Sequence, residues 1–254
     1  MTLVKVVFVK SNFSLLFSSL LMIAWLTGCS GEKPQATSSD QTASAASQRA
    51  TPAKPMEMDA RPVIVAFGDS LTAGYGVSQG QSYPADLERD LNALGYRYRV
   101  VNEGISGNTS KDGVLRIPEV LQFHPSVVIV AFGGNDGLRG LPIRDTEMNL
   151  KTIISNLQAA HAKVILGGIT LPPNYGSDYI SQFNAIYKKE AAEYRVPLLP
   201  FMLKGVYDVP GSMQNDGIHP TAQGCQQVAR NFLPLLLPLL HQNGKPHAPV
   251  HHPS

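Results

Sequence analysis

Cysteine is nearly absent from this chain of 254 residues, which has only Cys29 and Cys225. If Cys29 is modified, as argued below, Cys225 has no intramolecular disulfide partner. Its place among the apolar positions of a helical pattern reads as a buried structural thiol. An excess of charge is also lacking. The net charge is +2, and with Lys5 and Lys10 set aside, basic and acidic residues balance at 19 each. That balance gives no electrostatic footprint for nucleic acid. Long apolar runs are missing too. Phe13 to Leu26 is short for a spanning helix and softened by serines, and Leu233 to Leu240 is shorter still and broken by Pro234 and Pro238. No internal repeat is visible. What remains is 43% hydrophobic and 16% charged. This is the composition of a globular protein with a real core, long enough for one large domain or two small ones.

The first residues read as a targeting segment. Lys5 and Lys10 form a positive region, Phe13 to Leu26 an apolar one, and the segment ends in Leu26-Thr27-Gly28-Cys29. This ending resembles the bacterial lipobox, in which cleavage precedes a cysteine whose thiol takes a diacylglyceryl group. Residues 1–28 are thus expected to be a lipoprotein signal peptide and Cys29 the lipidation site. Several acyl chains at one terminus make a stable anchor. Family sorting rules send a Cys followed by Ser30 to the outer membrane, so the expected location is the bacterial envelope, facing the periplasm. From Cys29 to Arg61 the chain is rich in Ala, Ser, Thr, Gln and Pro and poor in large apolar residues. It reads as a disordered tether. Residues 241–254 carry His241, His247, His251 and His252 among prolines and read as a disordered tail.

Between Pro62 and Leu240, apolar strand-like runs alternate with helical patterns. Strands are expected at 62–67, 99–102, 126–132, 163–169 and 196–199. Helices are marked by Leu87, Leu91 and Leu94 before Gly95, by Leu150, Ile153, Ile154 and Leu157, and by Ile180, Phe183, Ile186 and Tyr187. A last helix is expected to begin near Pro220, with that proline at its first position, and to bury Val228 and Phe232. Alternation of this kind implies an α/β fold, a parallel sheet with helices on both faces.

Four loops at strand ends carry unusual residues. They are Gly68-Asp69-Ser70-Leu71-Thr72-Ala73-Gly74, Gly104-Ile105-Ser106-Gly107-Asn108-Thr109, Gly133-Gly134-Asn135-Asp136-Gly137 and Asn215-Asp216-Gly217-Ile218-His219-Pro220. In a parallel sheet, loops that follow strands gather at one edge. Taken singly, Gly107 is equally a turn glycine, Asn135 a left-handed turn residue and Asp216 a helix cap. Taken together they fit acyl transfer. A serine hydroxyl needs a base within reach. His219 supplies one, and Asp216, three residues earlier, is placed to fix its tautomer. A tetrahedral oxyanion needs donors in place, and the Ser70 and Gly107 backbone N–H groups and the Asn135 amide are candidates. The loops 137–142 and 171–176 reach the same edge. Leu138, Arg139, Leu141, Pro142, Pro173 and Tyr175 are therefore expected to line the acyl site.

At these four blocks the chain resembles the SGNH (GDSL) hydrolases. The longer stretches Gly-Asp-Ser-Leu-Thr-Ala-Gly-Tyr-Gly and Gly-Gly-Asn-Asp-Gly-Leu-Arg-Gly look like the bacterial multifunctional esterase, acyl-CoA thioesterase and lysophospholipase branch. The resemblance covers 62–240. It implies a flavodoxin-like three-layer α/β/α fold with a five-stranded parallel sheet of order 2-1-3-4-5, no cofactor and no metal. It also implies Ser70 as nucleophile, His219 as base, Asp216 as its orienter, and Ser70, Gly107 and Asn135 in the oxyanion hole, with Asp69 shaping the turn. The elbow of the α/β-hydrolases does not fit, because Thr72 stands where Gly-x-Ser-x-Gly requires its last glycine. The expected substrates are small acyl esters, thioesters or lysophospholipids, and the membrane is reached through the lipid anchor. Two other readings stay open from sequence: an O-acetyl esterase of periplasmic polysaccharide or peptidoglycan, and a non-catalytic binding lipoprotein.

Overall fold

The structure is a computed structural model that describes residues 59–240. The expected signal peptide, Cys29, most of the expected tether and the expected tail lie outside the described residues. Five strands form one parallel sheet: β1 (Val63–Gly68), β2 (Arg99–Gly104), β3 (Val127–Ala131), β4 (Lys163–Gly167) and β5 (Leu198–Leu199). Their order is β2-β1-β3-β4-β5, as the resemblance implied. Every residue of β1 and β3 is buried, as central parallel strands require, whereas β2 at one edge is half-buried. β5 is shorter than the sequence suggests. Pro197 has no N–H to give the ladder and contributes only its carbonyl, to Leu166 N.

The crossovers are helical: α1 (Ser70–Ala73), α2 (Tyr83–Ala93), α3 (Ser110–Leu121), α4 (Gly134–Leu138), α5 (Ile143–Ala159), α6 (Ser177–Tyr194) and α7 (Ala222–Leu236). α2 packs on α7, while α3 packs on α5 and α5 on α6. Tyr83 stacks on Phe232 in the first pair, and Gly113 of α3 approaches the Phe132 ring in the other layer. Leu150, Ile153, Ile154 and Leu157 are all fully buried.

Three sequence readings need correction. Leu94 is exposed, because α2 ends at Ala93 and Leu94 is already its C-terminal cap. Pro220 is not the first residue of the last helix. Thr221 is the N-cap of α7, with its hydroxyl accepting from Gly224 N, and Pro220 precedes it. Helix α3 was not foreseen at all. Its buried face carries Ser110, Gly113 and Arg116 beside Ile117 and Val120, so no apolar period shows, and Pro118 lies inside it. Its one local signal is the capping box of Thr109 and Asp112. Arg61, expected to belong to the tether, is tied to the domain: it donates to Glu88 and to the Tyr98 carbonyl at 2.8 and 3.2 Å.

Helix α1 lies hard against the carboxyl ends of β1 and β2. A Cβ on Gly104 would stand 2.1 Å from Ala73 N and 2.6 Å from the Thr72 carbonyl carbon, both backbone atoms. Gly104→Ala is therefore expected to lower stability by about 1–3 kcal/mol, the usual range for overpacking. Urea unfolding measures it, and a midpoint equal to wild type would show that α1 can move away.

Candidate active site

Parallel topology delivers the chemistry to one place. β1 and β3 are neighbours, but their connections leave the sheet in opposite directions, which opens a crevice at their carboxyl ends. Ser70 follows β1 and is the first residue of α1, while Asn135 follows β3 in the first turn of α4. Gly107 follows β2. The loop before α7 brings Asp216 and His219 across from the far side of the chain.

His219 Nε2 lies 2.8 Å from Ser70 Oγ, and His219 Nδ1 lies 2.6 Å from Asp216 Oδ2. The other carboxylate oxygen of Asp216 accepts the backbone N–H groups of Ile218 and His219, at 2.9 and 3.0 Å. Burial acts to raise the Asp216 pKa, but these hydrogen bonds outweigh it and hold the group down at about 2. Asp216 is therefore ionised at neutral pH. It keeps the proton of neutral His219 on Nδ1 and leaves Nε2 free to accept the serine proton.

This loop is anchored by a residue that sequence reasoning missed. Gln214 Nε2 donates to the Tyr75 carbonyl at 2.7 Å and to the Pro220 carbonyl at 2.9 Å, and Gln214 N donates to the His219 carbonyl at 2.8 Å. The strap ties the histidine loop to the serine loop. Tyr75 then places its ring 4.6 Å from the imidazole, centroid to centroid. Nothing in the local sequence marks Gln214, because its partners are distant in the chain.

The oxyanion candidates converge as well. As the first residue of a helix, Ser70 has a backbone N–H without an intrahelical acceptor. Gly107 lines the same cavity with φ +85°, a conformation that suits glycine. One N–H of the Asn135 amide is held by the Asn108 carbonyl at 2.8 Å, which leaves the other for a substrate oxygen. Beneath them, Asp136 accepts from Ser110 N at 2.9 Å, from the Ser110 hydroxyl and from Thr146 Oγ1 at 3.2 Å. Asp69 caps α1 by accepting from Leu71 N at 3.1 Å. Burial pushes Asp69 up to about 7, and neighbouring Asp136 adds to the rise.

A cavity of about 420 Å³ opens beside Ser70. Its walls include Leu138, Ile169, Leu171, Pro173, Phe201 and Leu203. Of the residues expected to line the acyl site, Leu138 and Pro173 line this cavity. Leu141 and Pro142 do not: Leu141 N closes α4 on the Asp136 carbonyl, and Pro142 is the N-cap of α5. Tyr175 and Arg139 also stand behind the wall. The Tyr175 hydroxyl donates to the Leu138 carbonyl, and Arg139 Nη2 to the Gly107 carbonyl, both at 2.8 Å. Cys225 is buried in α7, and burial raises its thiol to about 11, so it is inert at neutral pH. Among the described residues no cluster of His, Cys, Asp and Glu could hold a metal ion.

Residues 66–227 match the model of the GDSL-like Lipase/Acylhydrolase family. Esterase TesA of Pseudomonas aeruginosa is 43% identical over 178 residues, covering 70% of this chain and 89% of that protein. The Escherichia coli protein named thioesterase 1/protease 1/lysophospholipase L1 is 42% identical over 181 residues, covering 71% and 86%. A crystal structure of the SGNH-hydrolase family esterase AlinE4 aligns with TM-score 0.60 at 41% identity, covering 71% of this chain and 97% of its own.

The raised Asp69 pKa has a measurable consequence. A buried carboxyl titrating near 7, against 3.8 when unfolded, binds more protons in the native state, so stability falls as pH rises from about 4 to 7. Asp69→Asn keeps the capping oxygen and removes the titration. Its stability relative to wild type is expected to rise across that window, by up to the order of 4 kcal/mol. Urea titrations at several pH values test this, and parallel curves for the two proteins would refute it.

Proposed function

The chain belongs to the GDSL-like lipase/acylhydrolase family and is a carboxylic ester hydrolase; on that premise we propose that it cleaves acyl esters and thioesters through an acyl-Ser70 intermediate. The observation that carries this reading is the unbroken relay Asp216–His219–Ser70 opening onto an apolar cavity. His219 takes the Ser70 proton as Oγ attacks the acyl carbon. The oxyanion forms among the Ser70 and Gly107 N–H groups and the Asn135 amide, each donor contributing roughly 3–4 kcal/mol to lowering the barrier. His219 then protonates the departing alcohol or thiol. Water, deprotonated by the same imidazole, releases the acid and restores Ser70.

The cavity supports a lipid-type acyl chain over acetate, because an acetyl group would leave most of its apolar wall unfilled. Relatives named thioesterase and lysophospholipase support the same substrate class. The lipobox supports anchoring through Cys29 in the bacterial envelope, facing the periplasm.

Hydrolysis of p-nitrophenyl esters from acetyl to palmitoyl tests the chemistry and the chain length together. Activity is expected to extend to medium or long chains and to vanish in Ser70→Ala, which should also lose labelling by a fluorophosphonate probe. Activity on acetate alone would instead favour an O-acetyl esterase. Leu171→Ala, which enlarges the wall, is expected to shift the preferred chain length, whereas Leu141→Ala should not. Cys29→Ala is expected to release the protein from membranes, and a mutant that still fractionates with them would remove the lipid anchor.

A further inference from the structure

Nine large hydrophobic residues are exposed among the described residues, and three of them meet at one place. Tyr75, Tyr207 and Ile218 are both exposed and part of the cavity wall. Ile105 precedes the wall residue Ser106, and Val209 stands two residues beyond Tyr207. Tyr75, Tyr207 and Ile218 thus stand at the mouth of the site, and Ile105 and Val209 extend this group along the chain; the five, between 39 and 54% exposed, are called the collar. Soluble surfaces rarely gather apolar side chains in this way without a partner.

We infer that the collar is a docking face for a lipid surface, which sets the mouth of the site against the bilayer that holds the anchor. The inference rests on the Cys29 anchor and the lipid-type substrate proposed above. Three observations select lipid as the occupant. Tyr75, Tyr207 and Ile218 belong both to the collar and to the wall of the largely apolar cavity beside Ser70, so an acyl chain leaving a bilayer would enter past apolar side chains. Two of its members are tyrosines, whose ring and hydroxyl suit the boundary between acyl chains and headgroups. The length of the connection permits the orientation. The chain enters β1 at the end opposite Ser70, so a short linker would hold the mouth away from the membrane. The six residues of β1 span roughly 20 Å. Twenty-nine residues separate Cys29 from Asp59. Such a segment reaches up to roughly 100 Å when extended, enough to pass around the domain.

The test uses the full lipidated chain with single cysteines carrying an environment-sensitive fluorophore. Ile105→Cys and Val209→Cys report on the collar, and Leu115→Cys and Met148→Cys on exposed positions of α3 and α5. Buried Cys225 and acylated Cys29 leave the new thiol as the site of labelling. On phosphatidylcholine vesicles containing doxyl-labelled lipid, the collar probes are expected to be quenched at least about two-fold more than the helix probes. Equal quenching at all four positions, or none at any, overturns the docking face. In parallel, Val209→Asp is expected to slow hydrolysis of vesicle-borne lysophosphatidylcholine while p-nitrophenyl butyrate in solution is turned over as by wild type. Equal rates for Val209→Asp and wild type on the vesicles count against the face. A protein that does not float with the vesicles refutes the anchor, whereas one that floats with uniform quenching refutes the docking face alone.

Discussion

The close approach of α1 to the ends of β1 and β2 is the constraint on which the site depends. The crevice between β1 and β3 exists because the chain departs from these neighbours in opposite directions. A nucleophile at its floor must come directly off β1, so the chain has to turn into a helix within one residue of Gly68. Asp69 makes that turn by capping α1, and the missing Cβ of Gly104 lets the helix settle across the next strand. A bulkier residue at Gly104 would lift α1, and with it both the Ser70 hydroxyl and the Ser70 N–H. Nucleophile and oxyanion donor therefore share one packing contact.

The donors on the other wall depend on a buried polar network. Asp136 gathers the start of α3 and the side chain of Thr146 in α5, one residue from Asn135. Asn135 in turn holds the Asn108 carbonyl, and Arg139 holds the Gly107 carbonyl. The loops after β2 and β3 are thus joined to each other and to α5 by bonds whose donors and acceptors are largely out of water, where a missing partner is costly. Two buried carboxyls, Asp69 and Asp136, lie in this region, and their proximity helps explain why Asp69 titrates so high. The arrangement gives up some stability at neutral pH in exchange for a preorganised turn.

Much of this was legible in the sequence, and what was not has physical reasons. β1 and β3 read correctly because strands buried on both faces are apolar throughout. Ser70, His219 and Asp216 could be grouped from sequence because Asp216 and His219 are three residues apart and Ser70 follows a strand, and the structure brings them into contact. Helix α3 stayed hidden because its buried face uses Gly113 against an aromatic ring and Arg116 as a hydrogen-bond donor to Glu103 and Asn108. The cavity wall was only half foreseen. Loop position placed Leu138 and Pro173 correctly, but Phe201 and Leu203 come from the segment after β5, where no motif marks a site. Gln214 could be found only in three dimensions.

The two sides of the site differ in their access to water, and that difference bears on the outcome of the reaction. The Asp216 side chain is 39% exposed and that of His219 15%, so the imidazole can be reached by solvent while Ser70 carries the acyl group. The opposite wall is apolar. An acyl group on Ser70 with its chain against that wall would present its carbonyl to water on the side where the base stands. A site sealed on both sides would favour transfer to a bound acceptor, whereas one wet on the histidine side and dry on the acyl side favours hydrolysis. The same asymmetry accounts for the strap formed by Gln214 and Tyr75. A catalytic loop facing solvent has little packing to hold it, and hydrogen bonds to a neighbouring loop supply the rigidity that burial would otherwise provide.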